Sequence, residues 1–246
     1  MSSENKLNKH DSCEFFESSS ELFSAKDKFL FIQNFLSDFN EKNLNILENM
    51  TFTQKDLQYK DQSLMTLLHY ASLTGHYSYM QLLIDKGFDI NKRDITQPVL
   101  FYLIDYNYEQ CFYSLLKYNH QLIDIGNTDC FGEDLFLYAS KKERGYLFIK
   151  HILDFFPHYN KDTTDQQLSN ALLLASKIKR LSNKSYLIKL GISPFSNNNK
   201  NECAWDFFDN DDKENYFQTL SLLERQKISL LISDKEKGKT GGKKRL

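Results

Sequence analysis

Side chains able to do chemistry are few and scattered along this sequence. His151 and His158, with Asp154 between them, bring two imidazoles and a carboxylate close together, the donor types that hold zinc in a tetrahedral site. Pro157 falls inside that stretch and ends any helix that would present all three, and no fourth donor completes the set. Gly238-Lys239-Thr240 matches the end of a phosphate-binding loop, but Ser233 stands where the first glycine is needed, and no strand precedes the segment or helix follows it. Asp209, Asp211, Asp212 and Glu214 crowd carboxylates as a calcium loop does, without its central glycine and closing glutamate, so they read as a solvated helix start. Cys13, Cys111, Cys130 and Cys203 are too widely spaced for a disulfide framework and lack a base placed by any motif, which leaves them reduced thiols. The expectation is a chain with no catalytic residue, no metal and no cofactor.

The elements behind these residues must then supply the function. The 246 residues carry 31 Lys+Arg against 33 Asp+Glu, a net charge of -2, so no global field steers the chain to nucleic acid or to an anionic membrane. Hydrophobic residues make up 41% and aromatics 14%, enough apolar surface to offset the entropy of ordering a core. Apolar runs such as Val99 to Ile104 stop far short of the ~20 residues of a membrane span. No apolar stretch follows a basic start at the N-terminus, so no secretory signal is visible and a cytoplasmic setting is expected.

Periodicity is the strongest signal. Asp61 to Asp94 reads DQSLMTLLHYASLTGHYSYMQLLIDKGFDINKRD. Thr66 suits a helix cap, Leu68 and Ala71 lie three apart on one helical face, and Gly75 and Gly87 suit left-handed helix ends. Met80, Leu82, Leu83 and Ile84 form a second apolar face, and Asp89, Asn91 and Asp94 favour turns. The same register recurs at Asp94, Asp129, Asp165 and Asn198, so repeats are 33 to 36 residues long, with the extra residues expected in loops. Thr66, Leu68, His69, Ala71, Gly75, His76, Leu82, Leu83, Gly87, Asp89 and Asn91 together resemble an ankyrin repeat, with Leu67 where proline is usual. The resemblance implies an all-α solenoid of stacked helix-turn-helix units and gives His69 and His76 structural roles in positioning turns.

The second repeat is degenerate, with Tyr108 in place of the turn glycine; the fifth carries Trp205 and a second helix expected over 214–223. Phe29, Ile32, Phe35, Leu36 and Phe39, followed by Asn43 to Leu47, mark residues 28–60 as an atypical capping repeat. Repeats then fill 61–233, between a flexible tail at 1–27 and a basic one at 234–246.

Solenoids of this family bind partners on the concave surface made by turn tips and first helices. Carried to this sequence, the contact positions include Met65, Leu73, Thr74, Ile95, Tyr106, Asn107 and Phe131, and then Lys141, Lys142 and Lys177. The reading is a monomeric, non-catalytic protein–protein interaction module acting as adaptor, inhibitor or effector. Its groove is apolar at one end and open to an acidic or phosphorylated segment at the other. Few glycines and prolines with many lysines and aromatics suggest an AT-rich genome, and related bacterial proteins are often effectors, which would place this one in a host cytosol. Asn91, at the end of LLIDKGFDIN, resembles sites of asparaginyl hydroxylation. The alternative class is a targeting or regulatory subunit of an enzyme, or an enzyme whose active part lies in residues 1–60.

Overall fold

A computed structural model describes residues 23–36, 40–157, 165–198, 200–221, 224–225, 227–229 and 232–233, with the side chains of 165–167 left out. The described residues are helical or turn, with no strand and two isolated antiparallel bridges, Arg93 with Pro98 and Thr128 with Asp134. The chain forms two compact parts, residues 1–157 and 158–246.

In the N-terminal part, α1 (Ala25–Leu36), α4 (Leu67–Thr74), α6 (Val99–Asp105) and α8 (Leu135–Lys141) pack one on the next as a layer of first helices. A second layer behind them holds α2 (Glu41–Asn49), α5 (Tyr77–Asp85), α7 (Glu109–Asn119) and α9 (Gly145–Phe155). The core lies between the layers, where Leu68, Ala71, Met80, Leu83, Leu103, Phe112, Leu115, Ala139 and Ile149 are fully buried. These are the positions that a 3.6-residue period turns inward.

Helix α1 buries Phe29, Ile32, Phe35 and Leu36 as the capping reading expects, while Phe39 lies outside the described residues. It starts at Ala25, three residues inside the stretch read as tail, because the Ser24 hydroxyl accepts the Asp27 N–H at 3.2 Å. A short helix not foreseen, α3 (Gln54–Gln58), follows α2; Thr53 caps it and Asp56 returns the bond, accepting the Thr53 N–H at 2.7 Å.

The turn tips of the N-terminal part share one device. An Asp or Asn at the first position folds the turn tip around its own side chain. Asp61 Oδ1 accepts the N–H groups of Ser63 and Met65 at 2.8 and 2.9 Å, and Asp129 Oδ1 those of Phe131 and Glu133 at 2.8 and 2.9 Å. The second tip is one residue shorter. Asp94 N–H reaches the Gln97 carbonyl, whereas Asp61 and Asp129 reach Met65 and Glu133. Helix α6 therefore begins one residue early, and Asn107, not Tyr108, takes the left-handed turn at φ 57. The residues gained in that repeat were expected in a loop; they instead lengthen α7 and add a 3-10 turn over His120–Leu122.

The C-terminal part holds α10 (Asp165–Lys177), α11 (Leu181–Lys189), a 3-10 turn over Ala204–Phe207 and α12 (Asn210–Gln218). Lys179 at φ 57 and Gly191 at φ 79 repeat the left-handed roles of Gly75 and Gly87 in the same register. Asn198 Oδ1 folds a tip by accepting the N–H groups of Lys200 and Glu202, both at 2.9 Å. Two expectations change. Asp165 begins a helix instead of a turn tip. Helix α12 starts at Asn210 rather than Glu214, because Asp209 accepts the Asp212 N–H at 2.8 Å and Asp212 Oδ2 accepts the Asp209 N–H at 3.0 Å. The basic stretch 234–246, with Gly238-Lys239-Thr240, lies outside the described residues.

Candidate functional site

In the N-terminal part, backbone hydrogen bonds join successive turn tips. Ile95 N–H donates to the Ser63 carbonyl at 3.3 Å, and Cys130 N–H donates to the Thr96 carbonyl at 2.7 Å. The tips thus form a short ladder along the stack. One large apolar side chain stands out from each: Leu64 is 47% exposed, Ile95 61% and Phe131 81%. Ile95 and Phe131 were expected there. Leu64 was not; it holds φ 60, the position that Gly132 occupies in the third repeat, and that equivalence was the available signal.

The ends of the first helices supply a second row. Tyr106 is exposed and its ring stacks on Tyr108 at 6.0 Å and 18°. Tyr108 donates its hydroxyl to the Leu73 carbonyl at 3.2 Å and lies so close to Gly75 that a Cβ there would meet its ring at 2.6 Å. The two tyrosines form a braced aromatic platform between the first and second repeats. Met65, Leu73 and Thr74 are half-buried, and the Thr74 hydroxyl is occupied by the Ala71 carbonyl at 2.7 Å. Asn107 is exposed and has a backbone duty as the left-handed residue.

A polar network shows that tips and helix ends share one face. Tyr138, on α8, donates its hydroxyl to Asp105 Oδ1 at 2.7 Å and lies 2.9 Å from Gln97 Oε1 at the second tip; Gln97 Nε2 reaches Asp105 Oδ2 at 2.8 Å. Burial raises the Tyr138 phenol, and the Asp105 carboxylate raises it further, so the hydroxyl stays a donor. Lys142 Nζ lies 2.5 Å from Asp105 and 4.4 Å from the centre of the Tyr138 ring, and Lys141 pairs with Glu133. In the C-terminal part Lys177 lies 2.9 Å from Glu202, whose carboxyl it holds below the usual range. Lys141, Lys142 and Lys177, expected as a bare basic end, each already face a carboxylate of the chain.

Several of the other reactive groups that the structure describes are held by neighbours. His69 Nδ1 accepts the Thr66 N–H at 3.0 Å and meets the Thr66 hydroxyl at 2.9 Å; burial lowers the imidazole to about 4 and keeps it neutral. His76 occupies the residue before α5, with its ring edge-on to Tyr79. His151 Nε2 lies 3.3 Å from Glu109 with its ring against Tyr113, and His158 lies outside the described residues. Among the described residues no three His, Cys, Asp or Glu side chains converge as metal ligands. Cys111 is buried beside Met80, its thiol pushed up to about 12, whereas Cys130 is exposed at the third tip. Asp212, read as solvated, is buried against Lys184. Asn91 was read as a turn residue and as a candidate for hydroxylation. Its side chain bonds across to the next repeat, Nδ2 to the Leu122 carbonyl at 2.7 Å and Oδ1 from the Asp124 N–H at 2.8 Å. Among the described residues no helix is long and apolar enough to cross a membrane.

Residues 63–95 match the ankyrin-repeat family. No curated protein matches the chain. Among solved structures, the fold is similar to a chain in the complex of a predatory endopeptidase from Bdellovibrio bacteriovorus with an immunity protein. The TM-score is 0.53 and the identity 18%, covering 76% of this chain and 92% of that one. At that identity the likeness is one of fold.

Proposed function

From the ankyrin repeat at residues 63–95, set in an all-α repeat fold, we infer a non-catalytic module that binds another protein on the face made by its turn tips and first-helix ends. The observation that carries this reading is the row of exposed apolar side chains, Leu64, Ile95 and Phe131, on tips whose backbones are tied together, with Tyr106 braced beside them. A rigid face of this composition loses little entropy on binding and supplies the aromatic and aliphatic anchors on which interfaces depend. The similar solved chain comes from an assembly of two proteins, which agrees with binding as the activity.

The pairing of Lys141, Lys142 and Lys177 moves the weight of recognition from these lysines to the apolar row. An acidic or phosphorylated partner segment would have to replace Glu133, Asp105 and Glu202, and partly exposed pairs of this kind return little energy when exchanged. The module acts as an adaptor, inhibitor or effector and works as a monomer. A reducing cytosol, that of the source cell or of a host, suits an exposed thiol at Cys130.

The experiment is affinity purification on the full chain with mass spectrometry, followed by titration of the recovered partner against variants. Ile95→Asp and Tyr106→Ala are expected to weaken binding at least tenfold, whereas reversing the three lysines to Glu changes it by less than about fivefold. Full affinity in the Ile95→Asp and Tyr106→Ala variants would remove this face from the function. The same preparation tests Asn91: hydroxylation adds one oxygen to the peptide that contains it, and its absence after incubation with an asparaginyl hydroxylase dismisses that modification.

A further inference from the structure

We propose that the segment recognised by this face is an uncharged, proline-bearing stretch of a partner protein in the polyproline II conformation, seated on Tyr106 with its carbonyls accepting from the Tyr106 hydroxyl and the Asn107 amide. The proposal rests on the binding reading above and names the chemistry of the occupant. The backbone of the second repeat decides which conformations can be read there. Every N–H from Asp94 to Gln97 is donated within the chain: Asp94 to the Gln97 carbonyl, Ile95 to the Ser63 carbonyl, and Thr96 and Gln97 to Asp94 Oδ1. Those of Tyr106, Asn107 and Tyr108 go to carbonyls of α6. An incoming strand, which pairs by exchanging N–H and carbonyl groups, finds no backbone donor at this repeat.

Side-chain donors are available instead. Tyr106 and Asn107 are both exposed, and among the described residues neither the hydroxyl nor the amide has a hydrogen-bond partner. A helix laid here would cover these donors with a backbone whose carbonyls are already bonded, and a buried donor without a partner costs free energy. A polyproline II segment makes no internal hydrogen bonds and keeps its carbonyls open, so it meets both donors. The rings suit proline as well. Tyr108, fixed by its bond to the Leu73 carbonyl and its contact with Gly75, holds the Tyr106 ring in a parallel stack, so the platform is ordered before binding. Proline-rich segments dock on aromatic surfaces, and their three-residue turn brings every third side chain to one side. Charge adds nothing to the match. Asp61 and Asp94 accept the hydroxyls of Tyr70 and Tyr102, and Asp105 is met by Lys142 and Tyr138, so each of these carboxylates already has a partner.

The test uses random dodecapeptides displayed on phage, selected on the full chain, with the enriched sequences synthesised and titrated by calorimetry. Proline should be enriched, with apolar residues at three-residue spacing and few charges. Replacing that proline with alanine, or making Tyr106→Ala in the protein, should weaken binding at least tenfold. Tyr106→Phe keeps the ring without its donor, and Asn107→Gly suits the backbone at φ 57, so each should leave circular dichroism unchanged while weakening binding roughly three- to tenfold. Enrichment of charged or proline-free peptides overturns the proposal, as does binding that Tyr106→Ala leaves intact or that neither donor variant weakens. In those cases the broader binding face stands if Ile95→Asp still releases a purified partner. Failure to enrich any peptide also overturns the proposal, and together with a purification that yields no partner it withdraws the binding reading too.

Discussion

Replacing Gly75 with alanine probes the contact on which the aromatic platform rests. The substitution carries two costs that the structure separates. Gly75 holds φ 69, and an L-residue in the left-handed region costs roughly 1–2 kcal/mol. The added Cβ would also sit 2.6 Å from two ring carbons of Tyr108 and 2.8 Å from a third, closer than any relaxed contact. The ring is not free to slide, because its hydroxyl bonds to the Leu73 carbonyl and its face stacks on Tyr106. Forced repacking of this kind costs about 1–3 kcal/mol, so Gly75→Ala should lose about 2–5 kcal/mol in all. Urea denaturation of the full chain followed by circular dichroism measures it. The decisive variant adds Tyr108→Ala, which removes the ring and leaves only the backbone cost. The double variant should then be more stable than the summed single effects by about 1–3 kcal/mol. Additivity within about 0.5 kcal/mol would show that the ring yields freely, and the brace on Tyr106 would be lost from the account.

Three further predictions bear on the scaffold. Stability should fall as pH drops from about 6.5 toward 4, because the unfolded His69 imidazole takes up a proton that the buried, folded ring refuses; the loss approaches about 3 kcal/mol at pH 4, and a His69→Gln variant that keeps the full slope contradicts the assignment. Lys28 and Asp56 form an ion pair at 2.9 Å with side chains 4% and 5% exposed, so Asp56→Ala, which strands the ammonium, should cost about 3–5 kcal/mol. Replacing the pair together by Met and Asn should restore most of that loss, and a double variant as unstable as Asp56→Ala refutes the pairing argument. Although burial alone would raise it, the Asp56 carboxyl lies below its ordinary value through bonds from Thr53 and Lys28, so this contribution is present above about pH 4 and disappears as pH falls through the folded value. Leu64→Gly should leave stability unchanged or raise it by up to about 1 kcal/mol while weakening partner binding; destabilisation by more than that, read from thermal melts, would mean the leucine packs rather than binds.

Much of the scaffold could be read from residue order because its signals are local. Asp61, Asp94, Asp129 and Asn198 fold their tips through bonds to N–H groups two to four residues away, and Gly75, Gly87 and Gly191 end helices by their own freedom at positive φ. Spacing therefore placed the repeats and the layers they build. The features that escaped depend on groups without a strong local signature. Nothing near Asp165 announced a helix in place of a tip, and the acidic run read as a solvated helix start hid the Asp-Asp capping box that starts the helix at Asn210 instead of Glu214. At the candidate face, Ile95, Tyr106 and Phe131 were legible from register, whereas Leu64 was overlooked because its exposure follows from a left-handed backbone that leucine rarely adopts.

By itself the amino-acid order determined that this chain folds as stacked helical pairs, since capping, glycine geometry and apolar period act within one repeat and need no distant partner. Tertiary structure alone decided what the face offers. Lys142 meets Asp105, Lys177 meets Glu202 and Tyr138 meets Gln97 only because packing within each part brings together residues of neighbouring repeats, and that pairing sets a carboxylate beside each of these lysines. The same packing ties tip to tip in the N-terminal part, where Ile95 bonds to Ser63 and Cys130 to Thr96, because a hydrogen bond between repeats exists only when successive repeats fold turns at matching places.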